Sequence, residues 1–282
     1  MDRGDSLIVD VHTHCNTSAH HGRYEQDRAR IYGDRPENPP EKYDEAMADV
    51  DVSIVVGLRA TRLGVATPNE YIAGFVEQTT RPAIGYMALD LCDDDVMDQL
   101  EDGLARGLQG VKLYPILAGF DVREPKHDPF FREVARLGIP LLIHTGTSAS
   151  KDAILELSHP LVYDGLARRH PDVRMVLAHM SHPWQRECVI VLRKHANVYA
   201  DVSAMWLRTM EGYQAIVRAQ EWDVVHKLMF GSDYPIWTPR QGIDGLRAMA
   251  RKDWSPFPQI EPATIEDILH RDSLELLGLK AP

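Results

Sequence analysis

Short, branched apolar runs alternate along this chain with longer segments in which apolar residues recur at helical spacing. A short apolar run bounded by polar residues is typical of a buried strand, and a longer amphipathic segment is typical of a helix that packs on a sheet. This pattern predicts eight strands, at residues 7–11, 52–57, 82–87, 110–114, 139–144, 173–179, 198–202 and 227–233. Between and after them it predicts helices at residues 41–50, 68–79, 93–106, 129–137, 161–169, 184–195, 210–220, 242–251 and 265–277.

The alternation of strands with helices indicates the fold class. Parallel strands joined by helices form βαβ units, and eight such strands can close into a barrel. We therefore expect an α/β protein with a single (β/α)8 TIM barrel over residues 1–282, because no shift in composition marks a second domain. The polar stretch 15–40 interrupts the pattern after the first strand, and its length predicts a lid loop over the barrel mouth.

Polar side chains stand at the carboxyl ends of several predicted strands. His12 and His14 are two residues apart at the end of the first strand, so both imidazoles point to the same side. Four more candidates each lie at or near the end of a different strand: Lys112, His144, His179 and Asp233. Each alone could be a cap, a surface lysine or a hydrogen-bonded core histidine. Because a TIM barrel gathers its chemistry at the carboxyl ends of its strands, their joint occurrence favours one shared metal site at that face.

Taken together, these motifs carry a resemblance to a known family. The Asp10-x-His12-x-His14 motif, a lysine on strand four, histidines on strands five and six and an aspartate on strand eight resemble the amidohydrolase superfamily. Ile-His-Thr-Gly146, Leu-Ala-His179 and Phe-Gly-Ser-Asp-Tyr-Pro235 are similar to its amidohydrolase 2 branch, which includes the relatives of aminocarboxymuconate semialdehyde decarboxylase. The resemblance runs from residue 8 to about residue 278. It is specific for the fold and much less specific for the reaction.

The resemblance implies a set of ligands and their roles. His12, His14 and His144 would bind a divalent metal through neutral imidazole, with zinc as the expected ion and manganese as the alternative. Asp233 would bind the same ion and accept a proton from its water, whose pKa coordination lowers to about 7. His179 would bind a second ion or, in a site with one ion, steer the water or the substrate. Asp10 is interpreted as a buried hydrogen-bonding residue.

Lys112 leaves the number of ions open. An ammonium is a poor ligand beside a dication, but the carbamate formed with carbon dioxide has two oxygens that can bridge two ions. Lys-Leu-Tyr-Pro115 resembles the segment that carries such a lysine in some dihydroorotases, whereas the decarboxylases of the amidohydrolase 2 branch generally lack it. One hypothesis is therefore a carbamylated Lys112 with a second ion. The other is an unmodified lysine that binds a substrate oxygen.

Three functions follow from these alternatives. The first is a metal-dependent hydrolase that acts with activated water on an amide, ester or lactone. The alternative is a metal-dependent, non-oxidative decarboxylase of a small aromatic or muconate-type acid, and the third is a catalytically silent metal-binding barrel. For the substrate, Arg59 could grip a carboxylate, and Tyr114 and Trp237 could form the pocket wall. The histidines of the long loop, His20 and His21, are expected to be solvated.

Composition narrows the partners. The formal net charge of -11 argues against nucleic acid or an anionic membrane as the main partner. The resemblance implies a small-molecule substrate, and a homo-oligomer stays open. The three cysteines, Cys15, Cys92 and Cys188, are too few and too scattered for a disulfide framework or a thiolate zinc site. With neither a signal sequence nor an apolar run of transmembrane length, a cytoplasmic location is expected.

Overall fold

The computed structural model describes residues 7–15, 17–33 and 37–282, and a sheet of eight strands runs through them in chain order. The strands are β1 (Val9–His14), β2 (Val52–Val56), β3 (Ala83–Leu89), β4 (Gly110–Leu113), β5 (Leu141–Ile143), β6 (Met175–Leu177), β7 (Val198–Asp201) and β8 (Leu228–Met229). Each strand is paired in parallel with the next. A parallel sheet covered on both faces buries its strands completely, which is why continuous apolar runs mark them in the sequence.

Backbone hydrogen bonds between the first and last strands bring the sheet close to a closed barrel. Val11 N donates to Phe230 O at 3.0 Å, and His14 N donates to Tyr234 O at 2.7 Å. The regular part of β8 ends at Met229, well short of the predicted strand 227–233, because the chain bends away after two paired residues. The predicted (β/α)8 TIM barrel is confirmed.

Helices lie between the strands, as the sequence pattern predicted. They are α1 (Tyr24–Tyr32), α2 (Pro40–Ala46), α3 (Asn69–Gln78), α4 (Val96–Ala105), α5 (Pro115–Ala118), α6 (Asp128–Leu137), α7 (Pro160–Arg169), α8 (Gln185–Lys194), α9 (Thr209–Glu221), α10 (Pro239–Arg251), α11 (Pro262–Leu269) and α12 (Ser273–Leu277). The single helix predicted at 265–277 is in fact two helices, since the Asp272 side chain accepts from Glu275 N and starts a new helix there. A short antiparallel hairpin, Arg59–Ala60 with Val65–Ala66, follows β2.

Helix α10 shows how local sequence sets these elements. Thr238 caps its first turn, and its side chain accepts from Gln241 N while the Gln241 side chain returns to the cap backbone. Pro239 occupies the first helical position, where no N–H is needed. Ile243 and Leu246 lie on the buried face of the helix, and Leu246 is completely buried. Burying such a side chain contributes about 2 kcal/mol, so the helix is held mainly by its apolar face.

Apolar side chains cover both faces of the sheet. The larger cluster packs the strands against the surrounding helices, and it includes Phe75, Phe131 and Leu166. The smaller cluster joins alternate strand residues such as Ile54 to Leu277 of α12. The sheet therefore forms a packed scaffold, and its polar side chains collect at the carboxyl end.

Within the described ranges, no helix is both long and apolar enough to cross a membrane.

Candidate active site

Three side chains from the first and last strands of the barrel meet at its carboxyl end. His12 and His14 come from β1, and Asp233 follows β8; each offers a ligand atom within 4.8 Å of the others. His14 Nε2 lies 3.1 Å from Asp233 Oδ1, and His12 Nε2 lies 3.6 Å from the same oxygen. Asp233 N also donates to His12 O at 2.8 Å, and its φ of 62° turns the chain there. Barrel closure thus assembles the cluster, which we call the ligand cluster.

Burial and mutual contacts set the charges of the ligand cluster. Burial lowers the pKa of His14 to about 3, although the hydrogen bond and charge of Asp233 act the other way. Burial by itself would raise the pKa of Asp233, but the hydrogen bond from His14 and the nearby charges of His179 and His12 outweigh it and hold this pKa well below its usual range. Neutral imidazole and ionised carboxylate are the forms that bind metal. His14 Nδ1 is also buried without a hydrogen-bond partner among the described residues, as expected of a histidine that would bind a metal ion.

Lys112 reaches the ligand cluster from β4. Its Nζ lies 3.1 Å from His12 Nε2, and the residue is only 2% exposed. Burial lowers the pKa of Lys112 to about 8, against the raising effect of Asp201 and Asp233. A buried amine with such a pKa is partly neutral near physiological pH, which is the form that reacts with carbon dioxide. The side chain is therefore where the sequence predicted it, and carbamylation stays a hypothesis.

His144 and His179 lie beside the ligand cluster, and His179 forms with His12 and Asp201 a second group whose possible ligand atoms lie within 4.8 Å of one another. His144 Nε2 donates to the Thr147 carbonyl oxygen at 2.9 Å, and the imidazole packs 4.1 Å from the ring centroid of Tyr114. The ring centroid of His179 lies 5.0 Å from that of His12 and 5.2 Å from that of His144. Burial lowers the pKa of His179 to about 4 and that of His144 well below its ordinary value. Both are neutral imidazoles on the cavity wall.

Asp201, at the end of β7, is a site residue that sequence reasoning missed. It is completely buried, and its Oδ2 lies 3.0 Å from His12 Nδ1. Burial acts to raise the pKa of Asp201, but the charge and hydrogen bond of His12 together with His179 and Ser203 lower it below its usual range. The sequence did contain a signal for it. The apolar run Val198–Asp201 ends in an acidic residue, just as the runs of the other candidates end in a polar one.

A cavity opens next to the ligand cluster and holds two of the three predicted substrate residues. It encloses about 890 Å³ of empty space, part of it open to solvent, and its wall includes Tyr114, Trp237, Arg28 and Arg208. Arg59 does not line this cavity. Its Nε donates to Asp93 Oδ2 at 2.6 Å in the hairpin region, so the structure does not support its predicted role in binding a substrate carboxylate.

The stretch 15–40, predicted as a lid loop, is a partly helical cover beside the cavity. It contains a 3-10 turn at Ser18–His20 and the helix α1, while residues 16 and 34–36 lie outside the described residues. His20 is half-buried and His21 only 1% exposed, with His21 paired to Glu25, so the expectation that both are solvated is wrong. The sequence signal was weak because α1 has few apolar residues and no clear apolar face.

Helix α1 is fastened to the far side of the mouth. Asp27 Oδ2 accepts from Ser150 Oγ and from Lys151 N, both at 3.1 Å. Tyr24 forms a hydrogen bond with Tyr114 on the cavity wall. These contacts cross from the segment after β1 to the loop after β5 and to the residue after β4. The helix therefore roofs the cavity in this conformation.

A TIM barrel with a cluster of histidines and a carboxylate at the carboxyl ends of its strands is typical of metal-dependent enzymes. The chain belongs to the amidohydrolase family, whose sequence profile matches residues 9–279. This confirms the resemblance drawn from the motifs.

Two proteins of known description are similar in sequence. A dihydroorotase from Sinorhizobium medicae is 29% identical over 119 residues, which cover 39% of this chain and 33% of that protein. A 2-amino-3-carboxymuconate-6-semialdehyde decarboxylase from Dictyostelium discoideum is 21% identical over 250 residues, which cover 75% of this chain and 65% of that protein. In both cases the match spans less than two thirds of the relative.

Solved structures share the fold. An uncharacterised TIM-barrel protein from Bordetella bronchiseptica superposes with a TM-score of 0.76 at 21% identity, covering 96% of this chain and 98% of that one. A probable 2-pyrone-4,6-dicarboxylic acid hydrolase from Acinetobacter baumannii gives 0.67 at 17% identity, covering 97% and 100%. A 5-carboxyvanillate decarboxylase from Novosphingobium aromaticivorans, complexed with manganese, gives 0.68 at 15% identity, covering 99% and 97%. Hydrolases and decarboxylases are thus built on the same barrel.

Proposed function

We propose that this protein is a metal-dependent decarboxylase that releases carbon dioxide, without oxidation, from a small aromatic or muconate-type carboxylic acid. The hydrolase that the sequence favoured first becomes the second candidate. The divalent ion would be held by the ligand cluster of His12, His14 and Asp233.

The observation that carries this proposal is that the ligand cluster provides for one ion beside a proton carrier. His12, His14 and Asp233 form one three-residue group, and His12, His179 and Asp201 form a second group that shares His12. We assign the ion to the first group because Asp201 is already engaged by His12 Nδ1 and by the Ser203 hydroxyl. His144 Nε2 is engaged by a backbone carbonyl oxygen. His179 stands next to the cluster with its ring 5.0 Å from that of His12. Decarboxylation requires a proton at carbon and no second ion, so one ion and one proton carrier meet its demands.

The chain's residues then have defined tasks. Loss of carbon dioxide replaces the bond between the substrate carbon and its carboxylate by a bond to hydrogen. His179 takes a proton from solvent at Nε2 and passes it to that carbon, whose π electrons form the new C–H bond. The bond to the carboxylate then breaks, and its electron pair restores the π system. A divalent ion in the ligand cluster would bind oxygen atoms of the substrate and neutralise their charge.

Two of the similar proteins support this proposal. The Dictyostelium relative, matched over 75% of this chain, is named for a decarboxylation, and the Novosphingobium structure is that of a decarboxylase with manganese. Manganese is therefore proposed beside zinc as the ion. Arg208 in the cavity wall suits an acidic substrate, because guanidinium binds carboxylate in a bidentate manner, whereas Arg28 on the same wall is already paired with Glu25.

Lys112 supports the second candidate, a hydrolase of a lactone, amide or ester. Its Nζ is buried at the ligand cluster, and its lowered pKa of about 8 favours reaction with carbon dioxide to a carbamate. A carbamate could bridge two ions, and this arrangement suits attack of water on a carbonyl carbon. The dihydroorotase relative and the pyrone hydrolase structure agree with this candidate.

Assays on two substrate panels decide between the candidates. Purified protein is loaded with Mn²⁺ or Zn²⁺ and given dihydroxybenzoate-type and muconate-type acids, with carbon dioxide release as the readout. It is then given lactones and esters, with ring opening or acid release as the readout. We expect carbon dioxide release that Asp233→Asn abolishes and that Asp94→Ala, at an exposed aspartate, leaves intact. Hydrolysis of a lactone without carbon dioxide release from any acid would favour the hydrolase.

A further inference from the structure

One buried carboxylate, Asp201, is shared by two histidines of the site. Its Oδ2 lies 3.0 Å from His12 Nδ1. Its Oδ1 accepts from the backbone N–H groups of His179 and Ser203, both at 3.0 Å, and from the Ser203 hydroxyl. The same hydroxyl lies 2.7 Å from His179 Nδ1. A chain of hydrogen bonds therefore runs from His12 through Asp201 and Ser203 to His179.

The donors and acceptors of this chain can be assigned one by one. An ionised carboxylate only accepts, so His12 must donate from Nδ1 and Ser203 must donate its single hydroxyl proton to Asp201. The hydroxyl oxygen of Ser203 is then left as an acceptor for His179 Nδ1–H. In the neutral form of each imidazole, these bonds place the single ring proton on Nδ1 and leave a lone pair on Nε2.

An independent contact agrees with this assignment. Lys112 Nζ lies 3.1 Å from His12 Nε2, and a lysine ammonium has donors only. Facing the ammonium form of Lys112, His12 Nε2 accepts, which requires the proton to be on Nδ1. Two different neighbours on opposite sides of the ring thus demand the same tautomer.

We infer that Asp201 and Ser203 are positioning residues that hold the protons of His12 and His179 on Nδ1 and so keep both Nε2 atoms free to bind an ion or take a proton. Partners that fix the tautomer of a metal-binding histidine typically change metal affinity 10- to 100-fold when they are mutated. The inference rests on the proposed metal site, but it holds for hydrolysis and for decarboxylation alike.

The Asp201→Asn variant separates a positioning role from simple packing, because asparagine has nearly the same shape. Its single carbonyl oxygen would take over the bonds from the backbone N–H groups of His179 and Ser203. Its NH₂ group would then face His12 Nδ1 and demand a lone pair there, which moves the proton of His12 to Nε2. The variant therefore inverts the tautomer of His12 without removing a ligand.

Long-range ¹H–¹⁵N NMR of ¹⁵N-histidine protein reads these tautomers without reference to activity. Signals are assigned through their loss in His12→Gln and His179→Gln. In the metal-free wild type we expect both rings protonated on Nδ1. We expect Asp201→Asn to move the His12 proton to Nε2 and to weaken Mn²⁺ binding, measured by calorimetry, by about 10- to 100-fold. In Ser203→Ala we expect His179 to become a mixture of tautomers while His12 and Mn²⁺ affinity stay as in the wild type.

Two matched variants control for packing. Asp90→Asn changes another fully buried aspartate at the end of a strand, whose oxygens accept from Thr61 N and Cys92 N. Ser181→Ala removes another buried hydroxyl, which donates to Thr145 Oγ1. Both should keep wild-type tautomers and Mn²⁺ affinity. A wild type protonated on Nε2 at His12 or His179, or an Asp201→Asn variant with wild-type tautomer and affinity, would overturn the inference. If Asp201→Asn does not fold, the wild-type and Ser203→Ala spectra still decide it.

Discussion

Lys112 Nζ lies 3.1 Å from His12 Nε2. The buried amine therefore contacts the same nitrogen that would bind the metal ion in the proposed function. Two carboxylates, Asp201 and Asp233, act on the same amine and raise its pKa, but burial outweighs them and lowers it to about 8. Charging Lys112 in the folded protein is therefore unfavourable compared with charging it in the unfolded chain. This cost gives a prediction about stability and pH.

Replacing Lys112 by methionine should change how stability depends on pH in the metal-free protein. The pKa of Lys112 is about 8 in the folded state and 10.5 as its ordinary value, so between these pH values the unfolded chain binds more protons. Wild-type stability should accordingly rise with pH through this window, by on the order of 3 kcal/mol relative to Lys112→Met. Urea unfolding at pH 7.5 and pH 10 measures the difference, and exposed Lys151→Met serves as control. A gap between wild type and Lys112→Met that does not change with pH would contradict this prediction.

Loss of one histidine of the ligand cluster should abolish metal binding while the fold survives. His14 is a neutral, buried imidazole 3.1 Å from Asp233, so His14→Ala removes one of three ligand atoms and should cost more than 100-fold in Mn²⁺ or Zn²⁺ affinity, above the 10- to 100-fold of an outer residue. Elemental analysis of purified protein and calorimetry provide the measurement. The control is His127→Ala, a buried histidine of similar exposure remote from the cluster. Full metal content in His14→Ala would contradict the ligand set.

Releasing helix α1 should open the cavity. Asp27 fastens this helix to Ser150 and Lys151, and Asp27→Ala removes both hydrogen bonds. We expect faster trypsin cleavage at the arginines of α1, faster amide exchange there and a raised KM, with overall thermal stability nearly unchanged because few buried contacts are lost. Asp94→Ala, at an exposed position, is the control. Cleavage and exchange at wild-type rates would show that these two bonds do not hold the cover.

The periodicity of apolar residues sufficed for the barrel, because strands buried on both faces leave a strong signal. The histidine pair of β1 and Asp233, which follows β8, were also predictable, since polar residues there end an apolar run. The contacts that could not be predicted are those between residues that are far apart in the sequence but close together in the folded chain. Arg59 follows a strand, as a substrate residue should, but it is neutralised by Asp93 from another element. Helix α1 is held by contacts with loops more than a hundred residues away, which its own composition does not reveal.

The last prediction concerns Arg208, which we propose binds the carboxylate of the substrate. Arg208 lines the cavity, and its charge contributes, after burial, to lowering the pKa of His182 on the same wall to about 4. Among the described residues, no acidic side chain forms an ion pair with Arg208, whereas Arg28 is bound by Glu25 through two nitrogens. The unpaired guanidinium therefore suits a substrate carboxylate.

Arg208→Gln should raise KM for an acidic substrate about 10-fold with little change in kcat, since a hydrogen bond to a charged group contributes on the order of 1.5 kcal/mol. An ester or amide analogue that lacks the contacted carboxylate should lose almost nothing. Arg59→Gln is the matched control, because Arg59 follows β2 but points to Asp93 and should leave KM as it is. If Arg59→Gln raised KM and Arg208→Gln did not, the prediction made from the sequence would be right and the assignment to Arg208 wrong.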